Sequence, residues 1–270
     1  MHEQPPMPLI NPTSNPTSNP TSSAPAAVAL LTLIDVAADA RAWGLLRYVV
    51  GRFALQREPG LRFFKVLGCG HEGGFGLRPS GSHQGLFCLF DDDAAADRFR
   101  ERSAVSAAYR AHARQLFSVK LRAFSSRGSW AGQTLPVSAT EPAEGPIAAL
   151  TRASIRPTQA WRFWQKAPPA EQDLVAAPGC LMAAGLGEAP LLRQATFSIW
   201  DRVASMDRYA RSGAHLAAIR AAHQGRYFSE SMFVRFRPYA SQGAWKDYAP
   251  ATAGGGRGPD TAATAQPSLG

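Results

Sequence analysis

The chain has little cysteine, little lysine and no long apolar run, and each shortage removes a class of function. Cys69, Cys88 and Cys180 are its three cysteines; they are odd in number and show no CxxC spacing. A disulfide framework or a structural zinc site is therefore not expected, and a reducing cytoplasm is the simplest setting. No apolar stretch approaches the ~20 residues that span a bilayer, so the protein is expected to be soluble or peripheral. The N-terminal run MHEQPPMPLI has no basic segment leading into an apolar one, and no signal peptide is expected. There is no Gly-x-Ser-x-Gly elbow and no Walker loop, and Gly68-x-Gly70 belongs to no GxGxxG pattern. Paired acid–base carboxylates are not evident either.

What the chain does have is positive charge. Its net charge is +9, and arginine far outnumbers lysine. Such a surface suits anionic partners: nucleic acid, acidic lipid headgroups or an acidic redox protein. A GC-rich coding sequence yields the same composition, so charge alone decides nothing. Both ends are poor in large apolar residues. Residues 11–22 repeat NPTS, and the tail ATAGGGRGPDTAATAQPSLG is no better. Residues 1–27 and 250–270 are expected to be disordered, because they cannot bury enough surface to offset the entropy of ordering.

Between the tails one order of elements occurs twice. Val28–Val36 reads as a strand and Trp43–Leu55 as a helix with Leu46, Val49, Val50 and Phe53 at helical spacing. Leu61–Leu67 is a strand, and a Gly-rich loop leads to the strand Leu86–Phe90. A helix from Ala94 to about Arg114, with Asp91–Asp93 as cap candidates, precedes the strand Ser118–Phe124. The second half follows suit: strand Ile147–Ile155, helix Gln159–Lys166, strands Cys180–Leu186 and Arg193–Trp200, helix Arg202–His223, strand Met232–Arg237. Landmarks recur at an offset between 110 and 119 residues. Ala29-Leu30-Leu31-Thr32 matches Ala148-Ala149-Leu150-Thr151, and the pair Gly68/Gly70 matches Gly185/Gly187. Asp97-Arg98-Phe99 matches Asp207-Arg208-Tyr209, and the run ending at Trp130 matches the one ending at Trp245. This is an internal duplication. Each βαββαβ unit is ferredoxin-like, with helices on one sheet face and the other face bare. The expected fold is α+β: two tandem units, residues 28–130 and 147–249 joined by a linker over 131–146, forming a pseudo-dimeric α+β barrel with a pocket between sheet and helices.

One histidine distinguishes the halves. His215 follows a break at Ser212-Gly213, where serine suits an N-cap and glycine interrupts the helix. From there His215, Ala218, Ile219 and Ala222 share one apolar face of small residues, while Val105 stands at the matching place in the first half. A neutral imidazole beside such a face suits axial ligation of haem iron; a core histidine bonded to a carbonyl is the plainer alternative. Non-haem iron would need His71, Glu72 and His83, which lie in the Gly-rich loop. His112 and His223 sit near helix C-termini, where a cation suits the dipole. RNA-recognition modules share the βαββαβ order, but no stretch matches their strand motif, and nucleic acid is not expected as a partner.

The run GEAPLLRQATFSIWDRVASMDRYARSGAHLAAIRAAHQGRYFSESMFVRFRPYASQGAW, with FKVLGCG and PIAALTRASIRP, resembles the spheroidene monooxygenase family, acyclic carotenoid 2-ketolases of purple photosynthetic bacteria. The resemblance covers about residues 28–249. It implies a haem-dependent oxidoreductase of the dimeric α+β-barrel type. The implied reaction places oxygen from O2 at C2 of a linear carotenoid by two hydroxylations, the gem-diol then losing water to a ketone. Electrons would come from a ferredoxin, and the lipid-soluble substrate implies peripheral contact with an anionic membrane. The resemblance also suggests His215 as axial ligand, with Arg193 as a candidate partner for haem propionate or bound oxygen. Phe197, Trp200, Phe228 and Phe233 are candidate pocket aromatics. Two other classes stay open: a cofactor-independent barrel monooxygenase acting on an aromatic substrate, and a haem- or RNA-binding module without turnover.

Overall fold

The computed structural model describes residues 26–74, 79–165, 173–189, 191–211 and 224–250, with single positions 213, 216, 217 and 220 between the last two segments. The expected tails lie almost wholly outside the described residues.

The first unit runs β1 (Val28–Val36), α1 (Arg41–Leu55), β2 (Leu61–Gly70), β3 (Pro79–Phe90), α2 (Asp93–Arg102), α3 (Ala104–His112) and β4 (Ala113–Gly128). The second runs β5 (Ile147–Ile155), α4 (Ala160–Trp164), β6 (Cys180–Ala189), β7 (Arg193–Trp200), α5 (Val203–Ala210) and β8 (Phe228–Gly243). Pairing is antiparallel throughout, in the closed order β1-β3-β2-β6-β7-β5-β8-β4. Each unit keeps the ferredoxin-like strand order, and the edges meet as β2 against β6 and β4 against β8. No sheet edge is left open, which removes the template for unwanted pairing.

The pseudo-symmetry is detailed. Leu31 pairs with Phe87 as Leu150 pairs with Phe197. Trp130 bridges Gln133 as Trp245 bridges Tyr248, and both indoles are buried. Gly128 and Gly243 end their strands at φ 80° and 77°. A Cβ there would overlap the carbonyl oxygen of Ser231 or Leu116 respectively, so glycine is required twice for one reason. One landmark needs correction: Gly68 and Gly187, not Gly185, are equivalents. They sit opposite glutamines (Gln84, Gln194) and pair with each other where β2 meets β6. The Gly-x-Gly spacing misleads because it repeats every two residues along a strand, so a shift of two still matches.

Strand alternation fills both faces of the barrel wall. Leu31, Leu33, Phe87, Phe117, Leu150, Phe197, Val234 and Phe236 point inward and pack with both tryptophans. On the outer face of the first unit Leu30, Ile34, Leu86, Cys88 and Phe90 meet Phe99 and Tyr109 from the helices. The single helix expected from Ala94 to Arg114 is two. Ser103 breaks it, because its side chain accepts a hydrogen bond from the Val105 amide (3.0 Å) and starts α3. Asp92 caps α2 in the same way, accepting from the Ala95 amide at 2.8 Å.

Two further expectations change. Much of the Gly-rich stretch is strand, since β2 runs to Gly70 and β3 starts at Pro79. The apolar stripe of α1 faces outward: Leu46, Val49 and Phe53 are 57%, 66% and 53% exposed. The helix is instead seated on Gly44, Gly51 and Leu55; the missing side chain at Gly44 lets it approach Val36 and Gln84 closely, and Leu55 is buried. No helix among the described residues is long and apolar enough to cross a membrane.

Candidate functional site

Directly paired residues in a sheet project to one side, so the barrel wall can be read as rows of side chains beneath the helices. In the first unit one row is Val66, Leu86, Thr32 and Ser118, and the next is Phe64, Cys88, Leu30 and Lys120. The matching rows of the second unit are Gly185, Thr196, Thr151 and Phe233, then Ala183, Ser198, Ala149 and Arg235. In the row beyond, Ile34 is replaced by Ala153. Phenylalanine becomes alanine, leucine becomes alanine or threonine, valine becomes glycine and cysteine becomes serine. The second unit has thus lost apolar volume on β5, β6 and β7, whereas on β8 Phe233 stands where the first unit has Ser118.

Exposure differs between the units at the centre of these rows. Thr32 is 8% exposed under the helices of the first unit, whereas Thr151, the same residue at the same register, is exposed. Thr196 and Phe233 beside it are half-buried. Towards α5 the face closes again, where Ala149 packs with Trp200 and Met206. Trp200 donates to the Ser198 hydroxyl at 2.9 Å. The result is a shallow floor of small residues carrying hydroxyls at Thr151 and Thr196. An aromatic ring, Phe233, and a cation, Arg235, stand at its β8 side. Arg235 is held by Asp207 (2.5 Å), just as Lys120 is held by Asp97 (2.9 Å) in the first unit. Such a floor accommodates a flat apolar group, and its hydroxyls and arginine suit acidic edges.

His215, Ala218, Ile219 and Ala222 lie outside the described residues. Counted from the equivalent aspartates Asp97 and Asp207, Val105 holds the position of His215. Val105 lines a small space between helices, with Trp43, Arg47, Gly51, Ala54, Leu55, Ala108 and Tyr109 around it. That space is about 10 Å³, room for one water, beside the unpartnered Arg47 Nε and Tyr109 hydroxyl.

The other candidates fall elsewhere. Arg193 is exposed at the start of β7, and alternation puts it on the inward side with Ala195 and Phe197, not on the floor with Thr196. Phe197 is inside the barrel, Trp200 is packed near Met206, and Phe228 lies against Phe163 (5.8 Å). Of the four candidate aromatics, Phe233 shares a row with Thr151. His83 belongs to β3 and bonds Ser80 (2.8 Å), while His71 is exposed and the side chain of Glu72 is not among the described ones. No cluster of three or more metal-ligating side chains occurs among the described residues. His112 stacks on Trp43 at 4.2 Å, and His223 lies outside the described residues. The sheet face that an RNA-recognition module would present is the barrel interior, where Met232, Val234 and Phe236 are buried.

A polar network closes one barrel end. Buried Arg152 pairs with Glu188 (3.3 Å) and Glu230, Lys65 pairs with Glu188 (2.9 Å), and Trp130 donates to Glu188 at 2.7 Å. Burial opposes ionisation of Glu188, but Lys65 and Trp130 together hold its carboxyl below the usual range. With every charge paired, this network is structural. Burial likewise pushes the Cys69 thiol up to about 12 and that of Cys180 to about 11, which leaves neither as a thiolate.

The signal that sequence reading missed was available in the duplication: aligned position by position, β5, β6 and β7 of the second unit carry smaller residues on one face. No protein-family model matches the chain. Among curated proteins it is 59% identical over 219 residues to spheroidene monooxygenase of Rubrivivax gelatinosus, covering 81% of this chain and 85% of the relative. It is 35% identical over 207 residues to spheroidene monooxygenase of Rhodobacter capsulatus, covering 75% and 86%. Among solved structures it is similar to an aldoxime dehydratase, with a TM-score of 0.51 at 12% identity over 78% of this chain and 81% of that one. This second likeness speaks to the fold alone.

Proposed function

The chain belongs to the spheroidene monooxygenase family, and we propose that it converts C2 of an acyclic carotenoid to a ketone with haem held on the outer sheet face of the second unit. That it is a carotenoid monooxygenase follows from its family. The observation that carries the finer reading is the contrast between buried Thr32 and exposed Thr151 amid a row-by-row loss of side-chain volume.

The residues fit the group. Half-buried Ala183 and exposed Thr151 would face the flat of the macrocycle, with the small buried residues Ala149, Ala153 and Gly185 keeping the sheet low around them, and Arg235 and the threonine hydroxyls are suited to its acidic edges. His215 would hold the iron through its imidazole, and Ala218, Ile219 and Ala222 follow it at helical spacing in the sequence. Bound haem supplies the iron at which dioxygen is reduced.

The chain's own contribution is to place and enclose the polyene. Phe233 offers an aromatic surface next to the floor, and the apolar wall excludes water that would compete at the reacting carbon. Each hydroxylation consumes one O2, two electrons and two protons, giving an alcohol and water. The second yields a gem-diol, which loses water to the ketone. The electrons come from a ferredoxin-type donor, whose acidic surface suits the net charge of +9. Turnover of an acyclic carotenoid under ¹⁸O₂, with a reduced ferredoxin and mass detection, tests this reading. A labelled 2-keto product is expected, quenched quickly because its carbonyl oxygen exchanges with water. Oxidation at another carbon, or turnover by protein that contains no haem, would overturn it.

A further inference from the structure

The outward face of α1 is apolar, and its rotation is locked. Leu45, Leu46, Val49 and Phe53 are 58%, 57%, 66% and 53% exposed and lie together on the side away from the barrel. The helix cannot turn them inward. A Cβ at Gly44 would already sit 3.2 Å from Val36 and Gln84, and Gln84 donates to the Gly44 carbonyl at 2.7 Å. Tyr48 donates to the Glu188 carbonyl at 2.8 Å. Both anchors hold the side opposite the apolar stripe. Exposed Arg41, Arg52 and Arg57 border it, Arg52 lying over the Phe53 ring at 4.9 Å, and no acidic residue occurs from Arg41 to Arg57.

An apolar stripe with an arginine border is the pattern of a helix lying in a membrane interface. We propose that α1 docks the protein on an anionic bilayer, its leucines, valine and phenylalanine entering the headgroup boundary and its arginines meeting lipid phosphates. Charge selects this occupant over a second copy of the chain. In a face-to-face pair Arg41 and Arg52 would confront their own counterparts, whereas anionic headgroups neutralise them. The purpose of the docking rests on the carotenoid reading, because the substrate dissolves in bilayers; the docking itself does not.

Flotation with carotenoid-free vesicles of phosphatidylcholine and phosphatidylglycerol tests it. The full chain is expected to float with these vesicles at low salt and to be released by high salt. Val49→Asp/Phe53→Asp should lower partitioning by roughly tenfold or more, since affinity follows buried apolar area. Arg41→Gln/Arg52→Gln should weaken binding to anionic vesicles, while Val137→Asp, which adds one negative charge at an exposed site in the linker, should not. A folded Val49→Asp/Phe53→Asp variant that floats like the parent would overturn the proposal. So would a parent dimer that this variant dissociates, because the face would then be a self-association surface. Carotenoid dispersed in detergent separates the two readings. Turnover there without vesicle binding sinks the docking alone; vesicle binding without turnover sinks the oxygenase reading alone.

Discussion

Ala183→Phe restores to the second unit the residue that the first unit carries as Phe64. If the floor is open, the ring fills vacant space and is stabilising. Burying a phenylalanine completely contributes about 1.5–3 kcal/mol. Ala183 is half-buried, so about 1 kcal/mol is the reasonable share. For a folded body of this size that raises Tm by about 2–4 °C. If the place were already packed like the first unit, the same substitution would overpack it and cost about 1–3 kcal/mol. The sign of the shift therefore decides between an open floor and a closed one. Thermal melting of cofactor-free protein reads it, and the haem absorbance of protein as isolated reads the consequence. The expected pair of results is a higher Tm with haem content reduced at least about tenfold. A lower Tm with unchanged haem content would refute the reasoning, since the floor would be neither vacant nor the cofactor's place.

Three other outcomes follow from the architecture. Gly128→Ala and Gly243→Ala should destabilise alike, by about 2 kcal/mol or more, because each forces a Cβ into a carbonyl at positive φ; unequal losses in denaturant titrations would argue against the symmetric closure. Residues 28–130 alone should give a compact state without cooperative melting, as the open edges of β2 and β4 and the inward faces of Leu31, Phe87 and Phe117 lose their cover; a sharp thermal transition would count against the shared core. Stability should fall with acid. Burial opposes ionisation of both Glu230 and Asp93, but the amides of Gly132 and Ala131 with Ser129 and Arg152, and Lys120, Tyr239 and Arg122, together hold them at about 2. A depressed carboxyl contributes stability that is complete above its unfolded value and lost as pH drops toward the folded one. Tm should thus decline from about pH 4.5 to about pH 2, and a flat profile there would contradict the pairing.

The fold was legible because duplication wrote it twice. The match of Ala29–Thr32 with Ala148–Thr151, and of Trp130 with Trp245, fixed the strand order before any contact was known. Element ends were less legible. Ser103 breaks a helix that apolar periodicity runs straight through, because a serine side chain can cap as readily as it can be carried along. The stripe of α1 was seen, but its direction was not. Periodicity identifies an apolar face without saying whether protein or another phase covers it, and here the glycines Gly44 and Gly51 decided. As for the candidate site, the lone His215 distinguishes the second unit in the sequence, but the floor of small residues depends on cross-strand neighbours. No single strand reveals that Ala183, Ser198 and Ala149 form one row.

The central claim, that haem sits on the second unit with His215 as its ligand, is tested most directly by the absorption spectrum of the purified chain beside that of His215→Ala. The account predicts a Soret band in the parent, its loss in the variant, and an unchanged cooperative melt of the barrel in both. A carotenoid-oxidising parent without a Soret band, or a variant that keeps the parent's spectrum, would contradict it.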